Sequence, residues 1–308
     1  MKNKELRSSL LLLLTAAIWG FAFVAQRVGM DYVGPFTFNA IRFALGSISL
    51  LPVIYLFGKS KVKTTSENKD INNKMLITYG IIAGGILFTA ATLQQIGLKY
   101  TTAGNAGFIT SLYIVIVPII GIFLKQKSNL YIWSGALVAT VGLYYLSITN
   151  NFTIQFGDLL QLIGAFFWAS HIIVIGQFVK NTNPIKLSSI QFAVCSVLSL
   201  VAAILTEDII IGNIILAGLP ILYGGLMSVG IAYTLQVVAQ KDAKPSHAAI
   251  ALSMEAVFAA IGGILLLGES MSLRGYFGAL LMLFGMLLSQ GETILRKRNQ
   301  SLNLKNKY

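Results

Sequence analysis

The sequence is poor in the residues on which most enzymes depend. Its 308 residues include two His, one Cys and 11 acidic residues. A single cysteine excludes a disulfide framework and a thiolate metal site. Two His and one Cys also cannot supply a metal cluster, or a Ser-His-Asp set placed in an aqueous loop. Gly-rich phosphate loops are missing as well, so we expect no cofactor, no metal and no catalytic site.

Charged residues are also scarce, at 11%, whereas 56% of the chain is hydrophobic. Apolar runs of roughly 18 to 25 residues recur along it, the length that crosses about 30 Å of hydrocarbon as a helix. The first run continues past Trp19 without a small-residue cleavage site, so it reads as a retained helix. The sequence predicts an all-α integral membrane protein with ten transmembrane helices, approximately at 8–28, 35–57, 75–98, 103–124, 130–148, 156–179, 185–205, 214–240, 246–267 and 273–290.

The two halves of the chain resemble each other. A shift of 149 positions pairs identical residues such as Trp19 with Trp168 and Phe43 with Phe192. Shifts of 142 and 143 do the same later in the chain, for Gln94 and Gln236, Ser111 and Ser253, and Gly135 and Gly278. Three nearly equal shifts in one order indicate an internal repeat. We expect one unit at 8–148, a second at 156–290, and a basic tail at 291–308.

Basic residues predict the orientation of this repeat. If the N-terminus is cytoplasmic, 19 of the 23 Lys and Arg fall in inside segments, three fall outside, and Arg42 lies within a helix. Cytoplasmic loops retain such an excess. The net charge of +12 therefore indicates topology and attraction to anionic inner-leaflet lipid, and not nucleic-acid binding. We expect a multi-pass protein of the plasma membrane with both termini cytoplasmic.

Five helices per unit is an odd number, so the second unit must enter the membrane from the opposite side. Such inverted repeats recur among secondary transporters, with the substrate site near the midplane between the copies. The longest connection, Gly58 to Lys74, is rich in Lys, Ser, Thr and Asn. We expect it to be a flexible cytoplasmic loop.

Three ionisable residues lie at membrane depth: Arg42, His171 and Glu255. Such residues are expensive in a bilayer unless they face a cavity or a partner, so they are functional candidates. Glu255 could bind substrate or carry protons, or it could simply neutralise Arg42 in the packing. Their counterparts in the other unit are neutral, Gln191 for Arg42 and Tyr113 for Glu255.

Other polar and aromatic side chains recur at helical spacing in the same segments, such as Thr15, Trp19 and Gln26 in the first. Lipid would not satisfy their hydrogen-bonding groups, so they face either other helices or a wet cavity. Taken together they favour a substrate cavity. The residues expected to line it are Trp19, Gln94, Asn105, Tyr113, Trp168, His171, Tyr233, Gln236 and Glu255.

Trp19-Gly20, Pro35, Arg42, Glu255 and Gly268-Glu269, placed on ten helices in two halves, resemble the EamA family of the drug/metabolite transporter superfamily. The resemblance implies a ten-helix bundle with a central cavity lined by helices 1, 3, 4, 6, 8 and 9, and movement of small metabolites, often outward. Family members often carry Glu-Pro in helix 9, where this chain has Glu255-Ala256. Without that proline we expect helix 9 to lack a backbone break.

The sequence thus favours a secondary transporter that exports a small metabolite, amino-acid-like or another small organic solute, by alternating access. Its expected partners are the small-molecule substrate, the lipid bilayer and, as a candidate coupling ion, the proton. A membrane-embedded enzyme is disfavoured because the loops are short and hold no paired acids. A non-transporting membrane sensor or assembly subunit remains the alternative.

Overall fold

A computed structural model describes residues 2–57, 66–125, 129–147, 156–268 and 273–289, and these ranges hold helices and turns without a strand. The first half contains α1 Lys2–Gly29, α2 Pro35–Phe57, α3 Ser66–Gly97, α4 Ala103–Thr110, α5 Tyr113–Phe123 and α6 Leu130–Ser147. The second half contains α7 Phe156–Phe178, α8 Pro184–Thr206, α9 Ile211–Leu216, α10 Gly218–Leu222, a π-helix Tyr223–Tyr233, α11 Thr234–Gln240, α12 Pro245–Leu252, α13 Glu255–Leu267 and α14 Leu273–Ser289.

By length and composition, eight helical stretches in the described ranges can cross a membrane. Three of them join consecutive elements: Ala106–Phe123, Gly218–Gln240 and Pro245–Leu267. The remaining two of the ten expected helices, α6 and α14, are shorter apolar helices that pack against each other. Large apolar side chains such as Phe123 and Leu205 are about four-fifths exposed, as expected of surfaces that face lipid.

The connection after α2 differs from its prediction as a loop. Helix α3 begins at Ser66, so the Ser66 to Lys74 half of the expected loop is helical. This polar stretch contains no Gly or Pro that would stop a helix. Residues 58–65 and the predicted tail 291–308 lie outside the described ranges, as does Glu269.

Helices α2 and α8 pack antiparallel through reciprocal contacts. Ser47 Oγ donates to the carbonyl of Ser189 at 2.9 Å, and Ser196 Oγ donates to the carbonyl of Ala40 at 2.8 Å. The two bonds are counterparts in the repeat, because the shift of 149 positions pairs Ser47 with Ser196 and Ala40 with Ser189. Between them the rings of Phe43 and Phe192, themselves counterparts, lie 6.2 Å apart.

Helices α6 and α14 repeat this arrangement with glycines. A Cβ added to Gly135 would lie 2.7 Å from the carbonyl oxygen of Gly285, and one added to Gly142 would lie 2.6 Å from that of Gly278. These two contacts are exchanged by the shift of 143 positions. Glycine thus permits the close antiparallel approach of the two backbones.

The N-terminus of α2 is capped from the other half of the chain. Glu207, which follows α8, accepts hydrogen bonds from the backbone N–H of Phe36 and Thr37, both at 2.8 Å, and from Thr37 Oγ1 at 2.7 Å. The N-terminus of α8 uses its own Asn183, which accepts from the N–H groups of residues 185 and 186. The counterpart of Asn183 is Gly34, which has no side chain with which to cap α2.

The expectation of an unbroken helix 9 is wrong. The α-helix ends at Leu252 and restarts at Glu255. In the first half a break lies at the equivalent positions, between Thr110 and Tyr113, which the shift of 142 pairs with Leu252 and Glu255. At the second break Ser253 Oγ donates to the carbonyl of Ile250, and the N–H of Met254 bonds three residues back instead of four. The break therefore forms without a proline, and the Ser253 hydroxyl bonds to a helix carbonyl there.

Candidate functional site

A small, partly open central cavity lies where helices of both halves meet. The walls come from α1, α2, α3, α4, α5, α7, the π-helix, α11 and α13. The lining residues are Trp19, Phe23, Gln26, Arg42, Gln94, Thr110, Tyr113, Trp168, Ile172, Ser228, Tyr233, Gln236 and Glu255.

The predicted cavity residues mostly meet in this space. Seven of the nine line it: Trp19, Gln94, Tyr113, Trp168, Tyr233, Gln236 and Glu255. His171 does not line the cavity; it is fully buried behind the wall, where its Nε2 lies 2.9 Å from Gln191 Oε1. Its ring packs edge-on against Trp168 and Tyr233. The side chain of Asn105 lies outside the described residues.

Three aromatic rings form one wall of the cavity. Tyr233 lies 4.5 Å from Trp19 and 6.0 Å from Trp168, measured between ring centroids. The two tryptophans, counterparts in the repeat, are 6.5 Å apart. Trp19 Nε1 donates to the carbonyl of Ser228, which lies in the π-helix. This bond fixes the Trp19 ring, and the wall offers flat apolar surface to a ligand.

Glutamines and a threonine form a second, polar wall. Gln94 Nε2 donates to Gln26 Oε1 at 3.1 Å, and Gln161 Nε2 donates to the carbonyl of Gln94 at 2.9 Å. Thr110 Oγ1 in turn donates to Gln161 Oε1. These bonds join α1, α3, α4 and α7 to one another. Gln26, Gln94 and Thr110 also line the cavity, whereas Gln161 lies outside the lining.

Glu255 is bound by its own counterpart in the repeat. Tyr113 donates its hydroxyl hydrogen to Glu255 Oε1 at 2.9 Å. Glu255 is the first residue of α13 and Tyr113 is the first residue of α5, so both breaks place a helix N-terminus at the cavity. A carboxylate at a helix N-terminus is favoured by the backbone dipole. The acid is therefore held in place without a cation beside it.

Arg42 occupies a different part of the lining. Its Nε donates to Asn39 Oδ1 at 2.9 Å, and its guanidinium carbon lies 4.8 Å from the centre of the Phe43 ring. The described residues contain one ion pair, the exposed Arg27–Asp31 contact. Arg42 and Glu255, which the sequence could place in a neutralising pair, thus share the cavity without a direct contact in this conformation.

Several buried polar atoms in the lining have no hydrogen-bond partner among the described residues. They are Arg42 Nη2, Trp168 Nε1 and both amide atoms of Gln236. In Gln94, the counterpart of Gln236, the amide nitrogen by contrast donates to Gln26 Oε1. The free groups are three donors and one acceptor, which leaves the cavity capacity to bind a polar ligand.

The sequence did not single out every lining residue. Ser228 lines the cavity because Tyr223–Tyr233 is a π-helix, whose wider turn changes the face on which side chains emerge. Phe23, Thr110 and Ile172 look like ordinary packing residues in the sequence. A signal did exist for Gln26, because it continues the polar stripe of Thr15 and Trp19 on α1.

The model of the EamA-like transporter family matches residues 6–148 and again residues 155–290. An uncharacterized transporter of Archaeoglobus fulgidus is 34% identical over 286 residues, which cover 92% of this chain and 86% of the relative. The uncharacterized transporter YoaV of Bacillus subtilis is 23% identical over 88% of this chain and 92% of its own length. One crystal structure superposes with a TM-score of 0.73 over 94% of this chain at 18% identity, a likeness of fold.

Proposed function

Because this chain belongs to the EamA-like transporter family, within the drug/metabolite transporter superfamily, we propose that it is a secondary transporter that exports a small organic solute by alternating access. Membership makes the chain a membrane transporter and not an enzyme. The observation that carries the finer proposal is the central cavity between the two halves, with an aromatic wall, one buried acid and one buried cation.

The transmembrane arrangement of the proposal is ten helices in two inverted units, 8–148 and 156–290. The reciprocal bonds of Ser47 and Ser196 support it, because exchange of the two halves by the repeat shift requires a two-fold relation. The antiparallel glycine contacts of α6 and α14 support it in the same way. For helices that cross a membrane, a two-fold relation between antiparallel neighbours places its axis in the membrane plane.

Alternating access then consists of the two halves rocking around the cavity. The broken helices α4–α5 and α12–α13 allow one half of each span to tilt while the other half stays packed. Glu255, at one of these breaks, either exchanges a proton as the cavity alternates between wet and dry, or binds the amino group of an amino-acid-like solute. The Tyr113 hydroxyl holds the carboxylate in position for either role.

The proposed orientation places both termini in the cytoplasm of a cell bounded by the plasma membrane, from the distribution of Lys and Arg. The variant Ser66→Cys, at the start of α3, is then inaccessible from outside. A membrane-impermeant maleimide should leave it unlabelled in intact cells and label it in permeabilised cells. Rapid labelling in intact cells would reverse the topology.

Solute flux in proteoliposomes tests the function. Vesicles with purified protein are loaded with a panel of unlabelled amino acids, nucleosides and organic cations, and uptake of the same labelled solutes is followed. A secondary transporter exchanges at least one solute in counterflow. A membrane sensor or assembly subunit moves none of them faster than protein-free vesicles.

A further inference from the structure

Arg42 is the one cation among the residues that line the cavity. Its side chain is 1% exposed, and it belongs to α2, which packs between α8 and the π-helix. One guanidinium nitrogen, Nε, is bonded to Asn39. Another, Nη2, has no partner among the described residues, although it is buried.

A buried guanidinium needs compensation of its charge. Removing an ion from water costs several kcal/mol, about as much within a bilayer as within a protein core. The rings of Phe43 and Phe38 face the guanidinium, but such contacts return only about 0.5 to 2 kcal/mol. The described residues place no carboxylate within ion-pair distance of Arg42. An anion that enters the cavity would supply the missing charge.

We propose that Arg42 binds a carboxylate of the transported solute, so that the substrate is an organic acid or zwitterion with one negative charge. The inference rests on the proposed transport function and deepens it by assigning the substrate class. Two other lining residues also hold buried donors without a partner among the described residues, Trp168 Nε1 and Gln236 Nε2, and an oxyanion could accept from such donors. The aromatic wall around Tyr233 covers the apolar part of such a solute.

The charges of the lining limit the ligand further. With one cation, the described lining does not match a phosphate dianion, which is usually held by several cationic or backbone donors. Glu255 places one carboxyl group elsewhere in the same cavity. The ammonium group of a zwitterion could bond to Glu255 while its carboxylate binds Arg42, whereas a simple monocarboxylate would use Arg42 only. The repeat offers no second anion subsite, because the counterpart of Arg42 is Gln191.

Matched pairs of ligands isolate the carboxylate. The probes are phenylacetate and phenylacetamide, L-leucine and L-leucinamide, and L-phenylalanine and L-phenylalaninamide, which differ only in the charged group. Thermal unfolding of the purified protein in detergent is measured against each probe, for the wild type and for Arg42→Gln, Arg42→Lys and Arg27→Gln. Arg27 is exposed and does not line the cavity, although it follows the lining residue Gln26 in the sequence, so it provides the matched control.

The carboxylate of at least one pair should raise the unfolding temperature of the wild type and of Arg27→Gln, with at least tenfold tighter apparent binding than its amide. Arg42→Gln should lose that preference. Arg42→Lys should keep part of it, because a lysine retains the charge without the planar fork. If Arg42→Gln does not fold, the proposal is tested by the preference of the wild type for carboxylate over amide and by the reduction of that preference in Arg42→Lys.

The proposal is overturned if no carboxylate stabilises the wild type more than its amide, or if Arg42→Gln prefers carboxylates as the wild type does. Counterflow of the same probes separates this failure from that of the transport function. Equal flux of acids and amides would show that the protein is a transporter but has no anion subsite. Binding of acids without flux of any solute would leave an anion subsite in a protein that does not transport.

Discussion

The cap that Glu207 provides for α2 can be tested by removing Glu207 and placing a capping residue at Gly34 instead. Glu207→Ala removes three hydrogen bonds at the α2 N-terminus. Loss of a cap costs about 0.5 to 2 kcal/mol, and bonds to a charged group about 1.5 to 3 kcal/mol each before solvent replaces part of them. Because the site is only partly buried, we expect a loss of about 2 kcal/mol, or roughly 3 °C in unfolding temperature for a chain of this length.

The repeat suggests the rescue. Asn183, the counterpart of Gly34, caps α8 from within its own segment. Gly34→Asn in the wild type places a Cβ 2.2 Å from the Glu207 carboxyl carbon, so it displaces the existing cap and destabilises the protein. In the Glu207→Ala background the same change finds an empty space and two free N–H groups, so it should restore about 1 kcal/mol.

Gly34→Asn is thus expected to destabilise the wild type and to stabilise Glu207→Ala. Thermal unfolding in detergent measures both effects, on the two single variants, the double variant and Asn183→Ala. Asn183→Ala, which removes the ordinary cap, should cost about 1 kcal/mol. If Gly34→Asn has the same effect in both backgrounds, the two N-termini are not equivalent positions of one repeated unit.

Two further predictions concern the cavity. Trp19→Ala and Trp168→Ala should each impair counterflow without loss of membrane insertion, because both rings form the aromatic wall; normal transport by both would exclude α1 and α7 from the substrate path. Glu255→Gln should abolish gradient-driven transport, and exchange should survive only if the acid carries protons. Recovery of transport in the double variant Glu255→Gln, Arg42→Gln would instead indicate that the two residues merely neutralise each other.

Features that depend on periodicity and composition could be predicted from the sequence. The apolar runs predicted a helical membrane protein, and the Trp19-Gly20 motif has a physical reason that the structure shows. Trp19 lines the cavity, while a Cβ on Gly20 would lie 2.7 Å from the backbone nitrogen of Ala259 in α13. Large and small neighbours thus serve the cavity on one face of α1 and helix packing on another.

Features that depend on which of several possible partners forms a hydrogen bond could not be predicted from the sequence. At the break the Ser253 hydroxyl bonds to a backbone carbonyl, but helices tolerate many serines without breaking. The π-helix that contains the lining residue Ser228 has no residue signature of its own. Glu207 reads as a loop acid, since its role depends on the position of a helix that lies 171 residues earlier in the chain.

Access to one cavity position from both sides of the membrane tests alternating access most directly. Ser228→Cys places a small thiol in the lining, whereas the native Cys195 does not line the cavity and is fully buried. A membrane-impermeant maleimide is applied either to intact cells or to inside-out vesicles, in which it reaches opposite faces. Alternating access predicts labelling from both faces, each slowed by a transported solute. Labelling from one face only, however long the exposure, would contradict it.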